Sequence, residues 1–362
     1  MSDEKPKNAV ETKVAEILQE ASEMGYGAER ISKVEEAVRE ADAAGEELAA
    51  FDARLGLVEA AVFGGYPEKG FVAFGWLAAK TKQNPERFKE SSALLGMFLG
   101  GVDVLWAYKW MSLQVPWYPQ VSLRQIRETL EDMEERYQKH GFSLRPVHMA
   151  WTRVAIDTSD DPEEAYAHYR KWQWAPRDLY ADCEACEVSF QAHFHAHRGE
   201  HERALQVAGP LLNGALGCAE VPHETYARLL ESAMELGKQD EAARFHDVGY
   251  PMVRDNRDFV WAVSRHIVYL TAIGNHERAL ELARRHLPWA LGNRIADRKM
   301  WFYAACRDLF AVLDAQVSIR MDGVPETDDP VVLRDFFAAE VQAIAERFDA
   351  RNNNDVISRQ VL

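Results

Sequence analysis

The sequence predicts an all-helical fold, a solenoid or superhelix built from antiparallel helix hairpins. Three observations carry this expectation. The stretches Gly199-Glu-His-Glu-Arg-Ala-Leu, Gly237-Lys-Gln-Asp-Glu-Ala-Ala and Gly274-Asn-His-Glu-Arg-Ala-Leu share a glycine followed five residues later by an alanine. Their glycines stand 38 and then 37 residues apart, a period that marks stacked units, each too small to bury its own apolar face. Elsewhere apolar residues recur at spacings of three and four, and no run alternates as a half-buried strand would.

Taken in order, residues 1–8 have no apolar core and are expected to be a disordered tail. Segments 10–24 and 28–43 are amphipathic and separated by Gly25-Tyr26-Gly27, a helix stop; the second carries Ile31, Val34 and Val38 on one face. A helix over 46–62 ends at Gly64-Gly65, and Pro67 suits the first turn of the next, which carries Phe71, Phe74, Trp76 and Leu77. Asn84-Pro85 opens another pair, with Gly100-Gly101 as its break, and the aromatic stretch 106–111 reads as buried. Residues 114–119 form a proline-punctuated loop. A strongly amphipathic helix over 122–139 stops at Gly141, and another spans 146–156. Asp161 then reads as an N-cap with Pro162 in the first turn and Glu163 and Glu164 at the positive end of the dipole. After the repeats come a helix over 297–316 with Trp301, Phe302, Tyr303 and Cys306, a loop over 323–330, and a charged helix over 331–348 suited to capping an array. Asn352-Asn353-Asn354 starts a tail expected to fray. The expected organisation is a tail (1–8), divergent hairpins (9–175), the clearest repeats (176–295), capping helices (296–350) and a flexible tail (351–362), with about fourteen or fifteen helices in all.

Of 362 residues, 47% are hydrophobic, enough for a core that lengthens with each repeat. Acidic residues outnumber basic ones 58 to 42, for a net charge of −16, which argues against nucleic acid or anionic lipid as the main partner. The first residues, Met1-Ser-Asp-Glu-Lys-Pro-Lys-Asn8, do not read as a signal peptide. No apolar run approaches the ~20 residues that span a bilayer; the longest, 93–107, is interrupted by Gly100, Gly101 and Asp103. Four cysteines in this length imply no disulfide framework, and the chain reads as cytoplasmic.

The three clear repeats resemble tetratricopeptide repeats. That family places a small residue in the first helix, a glycine at its end and an alanine five residues on in the second helix. Here the positions are Ala192, Gly199 and Ala204; Leu230, Gly237 and Ala242; and Ile267, Gly274 and Ala279, so two small positions hold larger side chains. The match covers residues 181–291, at a period longer than the usual 34. The stretch is also similar to tetratricopeptide-like proteins of actinobacteria with Asp-Cys-x-x-Cys followed by Thr/Gly-Cys-x-Glu, here Asp182-Cys183-x-x-Cys186 and Gly217-Cys218-Ala-Glu220. The resemblance implies protein–protein scaffolding, with a protein or peptide held in a concave groove lined by first helices.

Cys183, Cys186 and Cys218 supply three thiols for one structural zinc: a two-residue spacing lets two thiolates reach one tetrahedral ion, and Cys218 opens the next repeat as Cys183 opens its own. His223 is the nearest fourth ligand, with Asp182 and Glu220 behind it. Buried hydrophobe-like thiols and a redox pair or disulfide are the alternatives. His193, His195 and His197 look like a metal box, but on a helix only the first and last share a face. The acid clusters at Asp160-Asp161 and Asp328-Asp329 resemble magnesium-binding clusters of helical terpene synthases, yet both precede helix-start chemistry, so capping explains them better. No phosphate loop or nucleophile elbow is present, and no catalytic residue is assigned. Tyr226, Arg228, Arg254, Arg257, Trp261 and Arg265 are the candidates for gripping a partner, since arginine and aromatic side chains dominate binding hot spots. Their bland alternative is caps, ion pairs and core packing. The leading functional reading is a non-enzymatic scaffold or adaptor. Its rivals are an all-helical metal-dependent enzyme using the thiol or histidine cluster, and a peptide-sensing regulatory module, the latter weakened by the lack of a basic DNA-reading helix pair.

Overall fold

The computed structural model describes residues 9–91, 103–218, 221–313 and 323–362. The expected tail at 1–8, the Gly100-Gly101 break, Glu220 and the end of the helix expected over 297–316 lie outside these residues. Among the described residues there are eighteen α-helices and no strand. None of the helices is long and apolar enough to cross a membrane.

The chain divides into two compact units. Unit 1 takes residues up to Val115, with Ile126–Ala150 and Ala175–Tyr180. It holds α1 (Ala9–Glu23), α2 (Ala28–Ala44), α3 (Glu47–Phe63), α4 (Glu68–Gln83), α5 (Val104–Gln114) and most of α6 (Leu123–Lys139). Helix α1 packs on α2 and α3, and α3 on α4 and α5. Small side chains allow the close approach: Ala37, Ala41, Ala49, Ala50 and Ala53 form one buried cluster with Val14 and Ile17. A buried ion pair anchors α6, with Arg136 Nη1 donating to Glu90 Oε1 at 2.6 Å and to Thr81 Oγ1 at 2.8 Å. Glu90 also meets His140 at 2.6 Å. Breaking such a pair from one side costs about 3–5 kcal/mol, because a buried charge is left alone.

Unit 2 takes Pro116–Gln125, Trp151–Trp174 and Ala181–Leu362. It includes the C-terminal part of α7 (Arg145–Thr158), then α8 (Pro162–Trp174), α9 (Glu184–His197), α10 (His201–Val207), α11 (Gly209–Leu212), α12 (His223–Glu235), α13 (Gln239–Val253), α14 (Val260–Ala272), α15 (His276–Leu291), α16 (Ala296–Val312), α17 (Pro330–Asn352) and α18 (Val356–Val361). Helix α9 packs on α12, α12 on α14 and α14 on α16, while α10, α13, α15 and α17 each pack on the first helix of their own hairpin. One apolar core runs from Ala192 to Val361.

The repeated glycines explain the hairpins. Gly199, Gly237 and Gly274 sit at φ 72°, 66° and 78°, in the left-handed region that ends a helix with little strain only for glycine. In each case the next residue's N–H closes back on the carbonyl five before it: Glu200 on His195 at 2.9 Å, Lys238 on Ala233 at 2.8 Å and Asn275 on Leu270 at 2.9 Å. The alanines five residues on, Ala204, Ala242 and Ala279, are wholly buried where the second helix meets the first. The same closure ends α2, α3 and α6, through Glu46 to Ala41, Tyr66 to Ala61 and Phe142 to Tyr137. After Gly45 and Gly65 the residues five on are Ala50 and Gly70, both buried.

Both acid clusters cap helices, as expected. Asp161 accepts from the Glu163 N–H at 2.9 Å, and Asp329 from the Val331 N–H at 2.8 Å with Pro330 in the first turn. Two features differ from expectation. Gly209-Pro210 divides the second helix of the first clear hairpin into α10 and α11, because proline supplies no N–H to continue the ladder. The stretch expected to fray at 351–362 instead forms α18: Ile357 and Val361 are buried, Asp349 accepts from the Ile357 N–H at 3.0 Å, and Arg307 donates to the Val361 carbonyl at 2.7 Å.

Candidate functional site

Cys183, Cys186 and Cys218 meet in space. Cys183 is the N-cap of α9, its Sγ accepting the Cys186 N–H at 3.3 Å, so the helix start aims a donor at the sulfur that a metal would hold as thiolate. Cys218 stands in the link before α12, its N–H bonded to the Val221 carbonyl at 2.9 Å. The packing of α9 on α12 brings the two starts together. Cys186 and Cys218 sulfurs are 3.6 Å apart, and all three lie within 4.8 Å of one another. Two thiolates on one tetrahedral zinc, each at about 2.3 Å, stand about 3.8 Å apart, whereas a disulfide needs about 2.0 Å. The spacing therefore fits a shared cation and no disulfide. Cys183 and Cys218 are exposed and Cys186 half-buried. Burial pushes the Cys186 thiol well above its ordinary value, and the neighbouring Cys183 and Cys218 sulfurs add to the shift. A divalent cation would reverse that cost, since it is the charge the thiolates lack. His223 is outside the three-thiol set: its ring lies flat on Phe259, centroids 5.4 Å apart and planes within 7°.

The histidine box does not converge. His195 bonds Glu200 at 2.6 Å and Tyr169 at 3.1 Å, while His193 faces Arg228 at 3.2 Å. Burial, with Arg228 beside it, pushes His193 well below its ordinary value, so its neutral ring can accept the guanidinium N–H.

A second constellation lies on one face of unit 2. Helices α7, α12, α14 and α16 each present a pair four residues apart: Arg153 and Asp157, Glu224 and Arg228, Trp261 and Arg265, Asp297 and Trp301. That spacing puts both members on one helix face. Glu224 accepts from Arg228 Nη2 at 2.9 Å and lies 3.6 Å from Arg298 Nη2. The guanidinium of Arg228 lies 4.2 Å from the Trp261 ring centre, that of Arg265 4.8 Å from Trp301, and that of Arg298 4.2 Å from Trp117. Side-chain exposures of 13% for Arg228, 25% for Glu224 and 10% for Arg298 place these groups deep but within reach of solvent. Burial opposes ionisation of Glu224, yet Arg298 and Arg228 outweigh it and hold the carboxyl at about 2.

Of the six residues singled out for partner binding, three come together here: Arg228, Trp261 and Arg265. Tyr226 turns into the core, where its Cβ crowds Gly249 of α13 and its ring meets Phe245. Arg254 pairs with its neighbour Asp255 at 3.3 Å, and Arg257 reaches the Gly292 carbonyl at 3.5 Å, both at the links between hairpins. Arg153, Asp157, Glu224, Arg298, Trp117 and Trp301 were not found from sequence. The repeat offered a signal for two of them: Glu224 is the counterpart of Trp261 at a separation of 37, and Trp301 of Arg265 at 36.

Asp157 gives this face a pH dependence. Burial is the main cause of its rise to about 7; Asp297 adds to it, and Arg153, Arg351 and Arg298 oppose it. A carboxyl raised in the folded state favours folding fully below its unfolded value near 4, and that contribution is lost as pH climbs through about 7. Asp157→Asn is therefore expected to gain on the wild type by about 2–4 kcal/mol between pH 4.5 and 7.5. Denaturant unfolding at the two pH values measures the difference; parallel pH profiles would contradict the assignment.

No family model matches this chain, and no curated protein matches it.

Proposed function

We propose that the chain is a non-enzymatic scaffold or adaptor that holds a protein or peptide along one face of its first helices. In this reading the hairpins wind as a tetratricopeptide-like superhelix, and the concave side carries α7, α9, α12, α14 and α16. The recurring glycine closures, the packing of each first helix on the next and the recurrence of paired positions support it. The observation that carries it is the convergence of Arg228, Trp261 and Arg265, with Arg298 and Trp301, on one partly solvated face. In this reading the three thiolates hold a structural zinc between two hairpins. A panel of labelled acidic, basic and apolar peptides titrated against the full chain tests the binding role. Trp261→Ala is expected to weaken the best binder at least tenfold while leaving the helical signal intact. Failure of every class to bind, or indifference to the substitution, would sink this reading.

Exposure of Cys183 and Cys218 favours the rival, a metal-dependent enzyme, because catalytic zinc keeps an open position. The two separate cleanly: a structural ion governs stability, whereas a catalytic one governs a turnover that chelation abolishes in the folded protein.

A further inference from the structure

The donors of the thiol cluster define the class of ligand that suits it. The sulfurs of Cys183, Cys186 and Cys218 lie within 4.8 Å of one another, and among the described residues no histidine or carboxylate joins all three in that span. Cys183 caps α9, Cys186 stands in the first turn of that helix, and Cys218 comes from the link before α12, its sulfur 3.6 Å from that of Cys186. Cys186 is half-buried against Ala185, Leu211 and Val221, which fixes one corner of the triangle. Cys183 and Cys218 are exposed, so a small solute reaches the cluster from water. Two features separate this set from an ordinary zinc site. Zinc takes four donors, whereas trivalent arsenic takes three and carries a lone pair where a fourth would stand. Charge points the same way: three thiolates around a divalent ion leave one negative charge in a stretch that already holds Asp182, Glu184 and Glu187. A trivalent centre on the same three sulfurs is neutral, and an all-sulfur donor set selects soft partners.

We infer that Cys183, Cys186 and Cys218 together capture a trivalent metalloid of the arsenite type, in one adduct that fastens the start of α9 to the link before α12. The inference needs the convergence of the thiols and neither the scaffold nor the zinc reading. Arsenite at neutral pH is the uncharged acid As(OH)3. On meeting three thiols, three S–H and three As–O bonds break, three As–S bonds form and three waters leave, with arsenic trivalent throughout. Where zinc already holds the thiolates, the three protons come from solvent and the zinc ion departs.

The test titrates the full chain, reduced and metal-free, with arsenite and with phenylarsine oxide, which needs only two thiols. Arsenite should bind one to a chain and protect all three thiols from an aromatic disulfide reagent, and X-ray absorption should count three sulfurs on arsenic. At about a hundredfold excess over Kd the melting temperature should rise by about 5 °C. Serine at Cys183, Cys186 or Cys218 should each weaken arsenite binding about a hundredfold or more, because the third attachment is lost, and leave phenylarsine oxide bound through the remaining pair. Cys306→Ser, at a wholly buried position, should change neither. A second measurement uses the zinc-loaded chain, from which arsenite should release the ion one for one. Two sulfurs on arsenic, arsenite binding that survives Cys218→Ser, or no arsenite binding would each overturn the inference. A chain that takes arsenite on three sulfurs but takes up no zinc would support it and overturn the zinc reading alone.

Discussion

Ending the chain after Leu291 is expected to give an aggregating protein, although every clear glycine-to-alanine repeat remains. Helix α14 buries Val260, Ala262, Val263, Ile267 and Leu270, and α16 packs on both α14 and α15. Removing α16 uncovers a contiguous apolar face and deletes Met300, Phe302, Leu309 and Phe310 from the same core. Arrays without a polar terminal unit expose such faces to water. A milder cut after Asn354 removes only α18 and its buried Ile357 and Val361. At about 1.5–3 kcal/mol for each buried side chain, the loss is about 3–6 kcal/mol, or roughly 10 °C in melting temperature. Size-exclusion and thermal melts report both. A soluble monomer from the first cut, or an unchanged melt from the second, would contradict the capping role of these helices.

Serine at Cys183, Cys186 or Cys218 is expected to lower the melting temperature by about 5–10 °C, and a chelator should do the same to the wild type alone. The equivalence of the three positions is the diagnostic feature. Cys186 is half-buried, so Cys186→Ser carries a packing cost whether or not metal is bound. Cys183 and Cys218 are exposed, and at exposed sites a serine change without metal stays within about 0.5 kcal/mol. A metal-bound cluster thus makes the exposed pair as sensitive as Cys186, and substituted proteins indifferent to chelator. Small effects at Cys183 and Cys218, with a chelator-insensitive wild type, would leave three neighbouring thiols and no ion.

The all-helical fold was legible because glycine at positive φ leaves a mark that few other residues can leave. Gly199, Gly237 and Gly274 all use it, and the thiol cluster followed from where successive hairpins begin. Other glycine closures were hidden by substitutions that keep the physics and lose the letters. Gly65 is followed at the packed position by Gly70 instead of alanine, and Gly45…Ala50 has no partner at the same period. Pro251 and Pro288, 37 residues apart inside α13 and α15, repeat as well, but proline within a helix reads locally as a break. The arginine–tryptophan face was half legible. Arg228, Trp261 and Arg265 fall in one repeat register, whereas Arg153 and Trp117 reach the face from segments that share no visible period with it. The α18 helix was missed because two apolar residues in a polar stretch signal nothing until Asp349 and Arg307 hold it in place.

Hydrogen exchange along the full chain, with and without the best-binding peptide of the panel, tests the scaffold reading most directly. Bound peptide is predicted to slow exchange in α12, α14 and α16, whose paired positions form the face, and to leave α13 and α15 unchanged. Protection confined to the second helices, or spread evenly over both sets, would contradict it.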